Sequence, residues 1–321
     1  MTVGWAVSGC GWVARDHALP ALRATPGAAV LAVHDVSPEA LARVPEPGTT
    51  DLDALLATPG LDAVYVASPN AAHRPLVEAA AAAGKAVLCE KPLAADLADA
   101  EAIVAACAGR VLLGTAYDQR WHPAHRRLAA LLPALGTVTA VRIAYGCWLP
   151  ADWSPDGAPH DNWRVDRGRA GGGAAIDLAP HGLDLAGVLL GEDVEELHAV
   201  VASRVHGYAV DDGALLHGRT PGGVLVDLHV SYATPDALPR RRLEVVGTRG
   251  ALVAVDTMGQ TAGGTLTHFA PDPVDVPFAD TPPFAAQFAA FSAAVAGEAP
   301  WPYDSARDLR LHRLLLEALP S

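Results

Sequence analysis

The chain has 321 residues, and 51% of them are apolar, which is enough for two domains or one large one. Its formal charge is −13, and this excess of acids argues against a nucleic-acid or anionic-membrane partner because phosphate binding needs a basic face. The start, MTVGWAVSGCG, has no charged segment or long apolar stretch of the signal-peptide kind. The four cysteines show neither disulfide nor metal spacing, so we expect a cytoplasmic protein with reduced thiols.

From residue 1 to about 117, short β-type runs alternate with alanine-rich helical stretches. The pattern predicts strands at 3–8, 30–34, 63–67, 86–89 and 111–116. It predicts helices at 75–84 and 96–109, and the second begins at an aspartate cap and ends at a glycine. Strands that alternate with helices are typical of a doubly wound parallel sheet.

The pattern changes in the second part of the chain. Helices are predicted around 124–135 and 176–190, and closely spaced β-type runs follow between 197 and 256, joined by turns such as TPGG and GTRG. This pattern predicts an α+β domain with an open, mostly antiparallel sheet. The end returns to helix, with Phe284, Phe288, Phe291 and Val295 at helical spacing. We expect one domain over 1–118 and a second over 119–321, whose final helices are candidates to pack back on the first.

A glycine-rich loop lies between the first strand and the first helix. Gly9, Gly11 and Ala14 form the pattern G-x-G-x-x-A. The first glycine permits a tight turn, the second lets a pyrophosphate approach the backbone, and the small residue at 14 lets the helix pack on the strand. The helix N-terminus then offers amide donors to the phosphates. The loop predicts dinucleotide binding.

Asp35 ends the second predicted strand, VLAVHD. A carboxylate at this place can accept hydrogen bonds from the adenosine ribose hydroxyls, and it would repel a 2′-phosphate. The sequence therefore favours NAD over NADP as the cofactor. The competing interpretation is that Asp35 is a solvated turn residue or the cap of the helix in SPEAL.

Two further segments carry a family resemblance: ASPNAAHRPLVEAAAAAGKAVLCEKPLA and GGGAAIDLAPHGLDL. With the glycine loop, the chain resembles the glucose-fructose oxidoreductase, inositol dehydrogenase and rhizopine-catabolism (Gfo/Idh/MocA) family over essentially its whole length. The E-K-P turn and the D-x-x-x-H pair are the most specific parts. The resemblance implies an N-terminal Rossmann domain and a C-terminal α/β domain with an open sheet whose exposed face makes dimers or tetramers. It also implies reversible oxidation of a sugar or cyclitol hydroxyl with NAD or NADP.

The resemblance also implies site residues. Lys91, Asp177 and His181 match catalytic positions, and the Lys91–Pro92 bond is often cis in such proteins. Asp184 matches an acid that contacts substrate in inositol dehydrogenases, and we add Trp163 and Arg164 as substrate-binding residues. The predicted cofactor-binding residues are Gly9, Cys10, Gly11, Trp12, Val13, Asp35, Ser68, Pro69, Asn70, His73, Glu90, Lys91, Arg120 and Trp121.

Oxidation of a secondary alcohol needs a hydride acceptor and a proton acceptor. We assign His181 as acid/base, Lys91 as electrostatic partner or proton relay, and Asp177 as the acid that orients His181. Whether His181 or Lys91 is the principal proton carrier stays open. In the competing interpretation, Lys91 is a turn lysine, His181 a core-edge histidine and Asp177 a helix cap. Because proline is best tolerated in a first helical turn, Pro180 favours a helix that starts after Asp177.

The segment CWLPADWSPDGAPHDNWRVDRGRAGGG precedes the predicted catalytic helix. Its aromatic side chains could stack on a sugar and its polar ones could bind hydroxyls, and the candidates are Trp148, Trp153, Trp163, Asp152, His160, Asp161, Asn162 and Arg164. The alternative is a surface loop or a subunit contact. His122 and His125 lie three residues apart, but no partner has convincing metal spacing, so we predict no metal.

The sequence thus predicts an NAD-dependent oxidoreductase that interconverts a hydroxyl and a keto group on a sugar, sugar derivative or cyclitol. We expect a small-molecule substrate, no nucleic-acid or membrane partner, and a homodimer or homotetramer. Two alternatives stay open. One is a relative of the same fold that retains NAD and cleaves glycosidic bonds, and the other is a non-catalytic ligand sensor.

Overall fold

The structure is a computed structural model that describes residues 1–155 and 162–320. The chain forms two compact units. The first consists of Met1–Ala116 and Phe284–His312, and the second of Tyr117–Pro283 and the residues from Arg313 on.

The described residues contain fourteen strands and ten α-helices. The strands are β1 (Val3–Ser8), β2 (Ala28–His34), β3 (Gly48–Thr49), β4 (Ala63–Val66), β5 (Ala86–Glu90), β6 (Leu113–Ala116), β7 (Val138–Gly146), β8 (Glu196–Ala202), β9 (Gly213–Arg219), β10 (Leu225–Ser231), β11 (Arg241–Gly247), β12 (Gly250–Val255), β13 (Thr265–Phe269) and β14 (Pro273–Asp275). The helices are α1 (Leu19–Ala24), α2 (Pro38–Leu41), α3 (Leu52–Leu56), α4 (His73–Ala82), α5 (Leu97–Cys107), α6 (Pro123–Leu131), α7 (Arg167–Ala170), α8 (Ala174–Leu190), α9 (Pro283–Val295) and α10 (Ser305–Ala318).

The first unit contains a six-stranded parallel sheet in the order β3-β2-β1-β4-β5-β6. This confirms the predicted doubly wound parallel sheet, and only the two-residue strand β3 was not predicted. The aspartate cap of α5 is confirmed as well, because the Asp96 carboxylate accepts a hydrogen bond from the Asp99 amide at 2.8 Å. After this helix the backbone turns at Gly109, whose φ is +68°.

The aromatic residues of α9 form part of the core of the first unit. The Phe288 ring lies edge-on to Trp5 and Tyr65 of the sheet, with ring centroids 5.3 and 5.2 Å apart. The Trp5 indole N–H donates to the Ser292 hydroxyl at 3.0 Å, which satisfies a buried donor. The helical spacing of the phenylalanines therefore predicts the buried stripe of this helix correctly.

The second unit contains an eight-stranded sheet in the order β14-β13-β12-β11-β7-β10-β9-β8. In the described part of the chain, β7 and β10 are the only parallel neighbours of this sheet, so the predicted mostly antiparallel sheet is confirmed. Strand β7, which the sequence analysis missed, lies near the centre of the sheet. Helix α8 packs closely on this sheet. A β-carbon at Gly182 of the helix would lie only 2.6 Å from the Leu228 side chain on β10.

The helix predicted around 176–190 is present, but the expectation that its regular part starts after Asp177 is wrong. Helix α8 begins at Ala174, and Pro180 lies inside it. The reason is an external cap: the Asp211 carboxylate accepts hydrogen bonds from the amides of Gly173 (2.9 Å) and Ala175 (2.8 Å). These bonds satisfy amides that a helix N-terminus leaves without partners, so the helix forms despite the proline.

Residues Arg167–Leu190 are apolar and long enough to cross a membrane by length and composition, but 83% of the apolar window is buried within the protein. Such burial is typical of a helix in the core of a protein, and one face of α8 packs against the sheet.

Candidate functional site

The glycine loop joins the ends of β1, β2 and β4. The Gly9 amide donates to the His34 carbonyl at 2.8 Å, and Gly9 has a φ of +97°. A β-carbon at Gly9 would lie 2.6 Å from the carbonyl carbon of Ala67. Both the backbone angle and the close approach therefore require glycine at this position.

The same loop is open where a phosphate would approach. A β-carbon at Gly11 would meet no atom within 4 Å, whereas Ala14 is fully buried. The Arg15 amide donates to the Gly11 carbonyl at 2.9 Å, so the helix starts directly at the loop. Residues Ala14–Ala18 of this helix form one π-helical turn. These residues fit the pyrophosphate of a dinucleotide, since an exposed backbone leads directly into a helix N-terminus.

Asp35 fixes the glycine loop. Its carboxylate accepts one hydrogen bond from the Cys10 amide at 2.7 Å and another from the Ser37 amide at 2.9 Å. The cap of α2 is Ser37, whose hydroxyl accepts from the Ala40 amide at 3.1 Å. Asp35 is therefore not the helix cap of the competing interpretation, and its half-buried carboxylate stands beside the loop at the end of β2.

The segment after β4 carries Ser68, Pro69, Asn70 and His73. Asn70 and His73 are buried, and the His73 ring nitrogens lie 3.1 Å from the Ser68 carbonyl and 3.2 Å from the Leu93 carbonyl. Burial lowers the pKa of His73 to about 4, so the ring is neutral and donates to one of the two carbonyls. The His73 side chain has no exposed surface, and its two carbonyl contacts join the segment after β4 to the turn after β5.

Glu90 is the last residue of β5, and Lys91 follows it directly. The Tyr65 hydroxyl donates to one carboxylate oxygen of Glu90, and the Lys91 amide donates to the other at 3.2 Å. The Lys91–Pro92 bond is cis, as the resemblance implies. Lys91, Asp35 and the glycine loop all follow the carboxyl ends of parallel strands of the same sheet, which is the edge where such sheets bind ligands.

In the second unit, α8 places Asp177 and His181 one turn apart. The Asp177 carboxylate accepts a hydrogen bond from the Tyr232 hydroxyl at 2.8 Å, and Nε of Arg164 lies 3.7 Å from the same oxygen. The Asp177 side chain keeps 19% of its surface exposed. It can therefore accept a hydrogen bond from a ligand.

His181 lies deeper than Asp177. Its side chain is 4% exposed, and Nδ1 lies 3.6 Å from a carboxylate oxygen of Asp118. The Tyr145 ring is 5.4 Å away, and the Gln119 amide group donates to the other Asp118 oxygen at 2.9 Å. Asp118 was not among the predicted site residues, although it stands two positions before Arg120 in the segment that opens the second unit.

Arg120 and Asp184 form a bidentate ion pair with N–O distances of 2.8 and 2.7 Å. Neither side chain has exposed surface. The resemblance implies a cofactor contact for Arg120 and a substrate contact for Asp184, and the structure pairs them with each other. The pair holds the 3₁₀ turn Asp118–Trp121 against α8. Trp121 in this turn is nearly buried, with the Arg126 guanidinium 5.6 Å from its ring.

The segment before α8 brings further predicted residues to Asp177. The Arg164 guanidinium lies over the Trp163 ring at 4.7 Å and near the Trp153 ring at 5.8 Å. Trp148 contacts His206 instead, with ring centroids 4.7 Å apart. The remaining candidates do not join this group: Asn162 is buried and donates to the Pro150 carbonyl, Asp152 is exposed, and His160 and Asp161 lie outside the described residues.

The histidines of WHPAH have structural roles. Nδ1 of His122 accepts from the Ala124 amide at 3.2 Å and so caps α6. His125 lies between the Gln119 carbonyl and the Thr257 hydroxyl, at 2.9 Å from each. Burial lowers the pKa of His122 to about 4 and that of His125 to about 3. Within residues 1–155 and 162–320, no three His, Cys, Asp or Glu side chains are grouped so that they could hold a metal ion.

Four residues around these sites were missed by the sequence analysis: Tyr65, Asp118, Asp211 and Tyr232. Tyr65, Asp211 and Tyr232 meet their partners across 25 to 55 positions of chain, and none belongs to a recognisable motif. A hydroxyl in an apolar run, as in Tyr65 of AVYV, is the one local signal, since a buried tyrosine needs a hydrogen-bond partner.

A parallel sheet with a dinucleotide-type glycine loop, followed by an α+β unit with an Asp–His pair, defines the class of two-domain dinucleotide-binding oxidoreductases. Residues 3–113 match the oxidoreductase family with the NAD-binding Rossmann fold, and residues 125–253 match the GFO/IDH/MocA C-terminal domain. The chain therefore belongs to the Gfo/Idh/MocA family, which confirms the resemblance.

Individual relatives agree with this assignment. The chain is 35% identical over 272 residues to the 1,5-anhydro-D-fructose reductase of Ensifer adhaerens, which covers 82% of this chain and 79% of that protein. It is 30% identical over 261 residues to the D-xylose 1-dehydrogenase [NADP(+)] of Haloarcula marismortui, covering 77% and 71%. The solved structure of the aldose-aldose oxidoreductase from Caulobacter crescentus with glycerol superposes with a TM-score of 0.87 at 26% identity, covering 99% and 97% of the two chains.

Proposed function

We propose that this protein is an NAD-dependent oxidoreductase that interconverts a hydroxyl and a keto group on a sugar, sugar derivative or cyclitol. The observation that carries the proposal is the turn of α8 that holds a partly exposed Asp177 beside a nearly buried His181. The glycine loop and the Asp35 carboxylate support a dinucleotide as hydride acceptor. The relatives named above act on sugars or sugar derivatives, which supports this substrate class.

In the proposed reaction, the glycine loop and Asp35 would hold a dinucleotide, whose nicotinamide would supply the hydride chemistry. His181 takes the proton of the reacting hydroxyl, and the Lys91 ammonium stabilises the negative charge that develops on the same oxygen. Lys91 belongs to the first unit and His181 to the second, and their action on one hydroxyl is part of the proposal. Asp177, with Tyr232 and Arg164 on its carboxylate, accepts a hydrogen bond from a substrate hydroxyl.

The preference for NAD over NADP is also a proposal, and its support comes from the turn after β2. Residues 35–39 include Asp35 and Glu39 and no basic residue. Because two amides hold the Asp35 carboxylate, it cannot easily swing away from a 2′-phosphate. An NADP-dependent relative such as the Haloarcula marismortui enzyme makes the direct comparison of both cofactors necessary.

The test is an absorbance assay of NADH and NADPH formation or consumption. The purified protein is offered inositols, free aldoses, anhydro-sugars, keto-sugars and nucleotide sugars with each cofactor. We expect turnover with at least one sugar or cyclitol and faster turnover with NAD(H). No redox turnover across the panel, or release of free sugar from a glycoside without net NADH, would contradict the proposal.

We further propose that the protein is a homodimer or homotetramer built on the sheet of the second unit. Side chains alternate along β8, β9 and β10, and those pointing away from the core include Val200, Leu215 and Leu225, which are 65%, 49% and 56% exposed. Val200 and Leu215 are direct cross-strand neighbours. Several exposed aliphatic side chains on one sheet face are typical of an interface.

Light scattering at micromolar concentration tests the assembly. Leu215→Asp should dissociate the oligomer because it places a charge in the buried face. Leu238→Asp is the matched control, since Leu238 is exposed to a similar degree, 56% against 49% for Leu215, but lies in a loop outside the strands. A monomeric native protein would refute the proposed interface.

A further inference from the structure

We propose that Asp118, and not Asp177, is the carboxylate that positions His181. The inference rests on the proposed function, in which His181 exchanges a proton with the substrate. Asp118 would be a positioning residue, because it acts through the histidine and not on the substrate itself.

Asp118 and His181 lie close together, and both are almost fully buried. Nδ1 of His181 lies 3.6 Å from Oδ1 of Asp118, and both side chains are 4% exposed. The distance is longer than a hydrogen bond but short for a charge interaction, and burial from water strengthens that interaction. Catalytic contacts of this kind often shorten when the substrate binds.

Both groups are fixed to the same helix. Gln119 holds the second oxygen of Asp118 at 2.9 Å. The Arg120–Asp184 pair fastens the Asp118 turn to α8, and Asp184 stands three residues after His181 on that helix. The carboxylate and the ring therefore keep their separation if the turn or the helix moves.

Asp177, the acid that the sequence pattern indicates for this task, has a different environment. Its carboxylate accepts the Tyr232 hydroxyl at 2.8 Å and lies 3.7 Å from Nε of Arg164. It is also more exposed than Asp118, at 19% against 4%. This environment suits a carboxylate that accepts a hydrogen bond from a substrate hydroxyl.

The placement has a chemical consequence. With a carboxylate at Nδ1, the neutral ring carries its proton there and keeps the lone pair on Nε2. In alcohol oxidation the O–H bond breaks, the proton bonds to Nε2, and the oxygen electron pair forms the carbonyl as the hydride leaves the carbon for the nicotinamide. Asp118 stays ionised and compensates the charge of the imidazolium.

Other charged or titratable groups also face His181. Arg120, two residues after Asp118 in the same turn, is paired with Asp184. The Tyr145 ring approaches from β7, and the Arg241 guanidinium lies 5.0 Å from its centre. Asp177 lies one turn earlier on α8. Asp118 is the carboxylate closest to the ring nitrogen among the contacts described above.

The test has a readout that does not depend on activity. The protein is labelled with ¹⁵N-histidine, and the His181 signals are identified by their loss in His181→Gln. We expect the neutral ring of the native protein to carry its proton on Nδ1. Asp118→Asn should shift the population toward the Nε2-protonated form, whereas Asp177→Asn should leave it unchanged. An Nε2-protonated ring in the native protein would overturn the inference, even if Asp118→Asn failed to fold.

Kinetics provide the second measurement. Asp118→Asn should lower kcat about 10- to 100-fold with little change in KM, because the wrong tautomer removes the proton acceptor. The acid limb of kcat/KM should move about 1 pH unit lower, because the imidazolium loses its counter-charge. Asp118→Glu should recover part of kcat, and Asp236→Asn is the surface control for net charge. An unmoved acid limb, or one that moves only in Asp177→Asn, would overturn the inference.

If no sugar is oxidised at all, the proposed function fails, while the tautomer measurement still decides the role of Asp118.

Discussion

Replacement of Asp184 by asparagine tests the buried ion pair of the second unit. Arg120 and Asp184 share two hydrogen bonds, and neither side chain has exposed surface. Asparagine offers one acceptor and one donor, so one guanidinium N–H would face another N–H and the charge would be left uncompensated. Removal of one partner of such a pair lowers the free energy of unfolding by about 3–5 kcal/mol. For a unit of this size, this corresponds to a fall in Tm of about 6–20 °C.

Differential scanning calorimetry is the assay, because a chain with two compact units need not unfold in one step. Glu78→Gln is the control: its partner Arg74 lies at 2.8 Å, but both side chains are at least 40% exposed, so the substitution should change Tm very little. The double variant Arg120→Met/Asp184→Leu should recover much of the loss, since no charge is left buried alone. A shift in Tm below about 2 °C for Asp184→Asn, together with a raised substrate KM, would show that Asp184 contacts substrate instead.

Three further predictions address the reaction, the cofactor and the pH dependence of stability. Lys91→Ala and His181→Ala should each lower turnover by ~10²-fold or more with NAD binding nearly intact. The fold loss of turnover in the double variant should be much smaller than the product of the two single losses. Near-normal turnover of Lys91→Ala would show that Lys91 is an ordinary turn lysine. In calorimetric titrations the native protein should bind NAD(H) more tightly than NADP(H), and Asp35→Ser should narrow that difference; equal native affinities would contradict the role of Asp35. Burial lowers the pKa of His73 to about 4, so the folded ring stays neutral while the unfolded chain takes up a proton below about 6.5. The free energy of unfolding should therefore fall as the pH decreases from about 6.5 to 4. In urea titrations, His73→Gln should reduce this dependence of the free energy of unfolding on pH. An unchanged dependence would show that His73 does not contribute to it.

The features that the sequence alone determined are short-range ones. The glycine loop is readable because a positive φ at Gly9 and the exposed backbone at Gly11 depend on a few consecutive residues. The turn at Lys91 and the i, i+4 spacing of Asp177 and His181 follow in the same way from local geometry. The alternation of strands and helices likewise predicts the parallel sheet, because each element shows its own periodicity.

The partners of these residues were decided only by the tertiary structure. Arg120 meets Asp184 across 64 positions of chain, and Asp177 meets Tyr232 across 55. The local sequence around Pro180 predicts that no regular helix includes Asp177. The helix forms there because Asp211, 36 residues after Ala175 in the sequence, caps its N-terminus. The capping carboxylate and the buried charge pair act through the folding of the whole unit. For this reason, the spacing of Asp177 and His181 predicts a site, but the acid that stands at the histidine could be identified only in the folded protein.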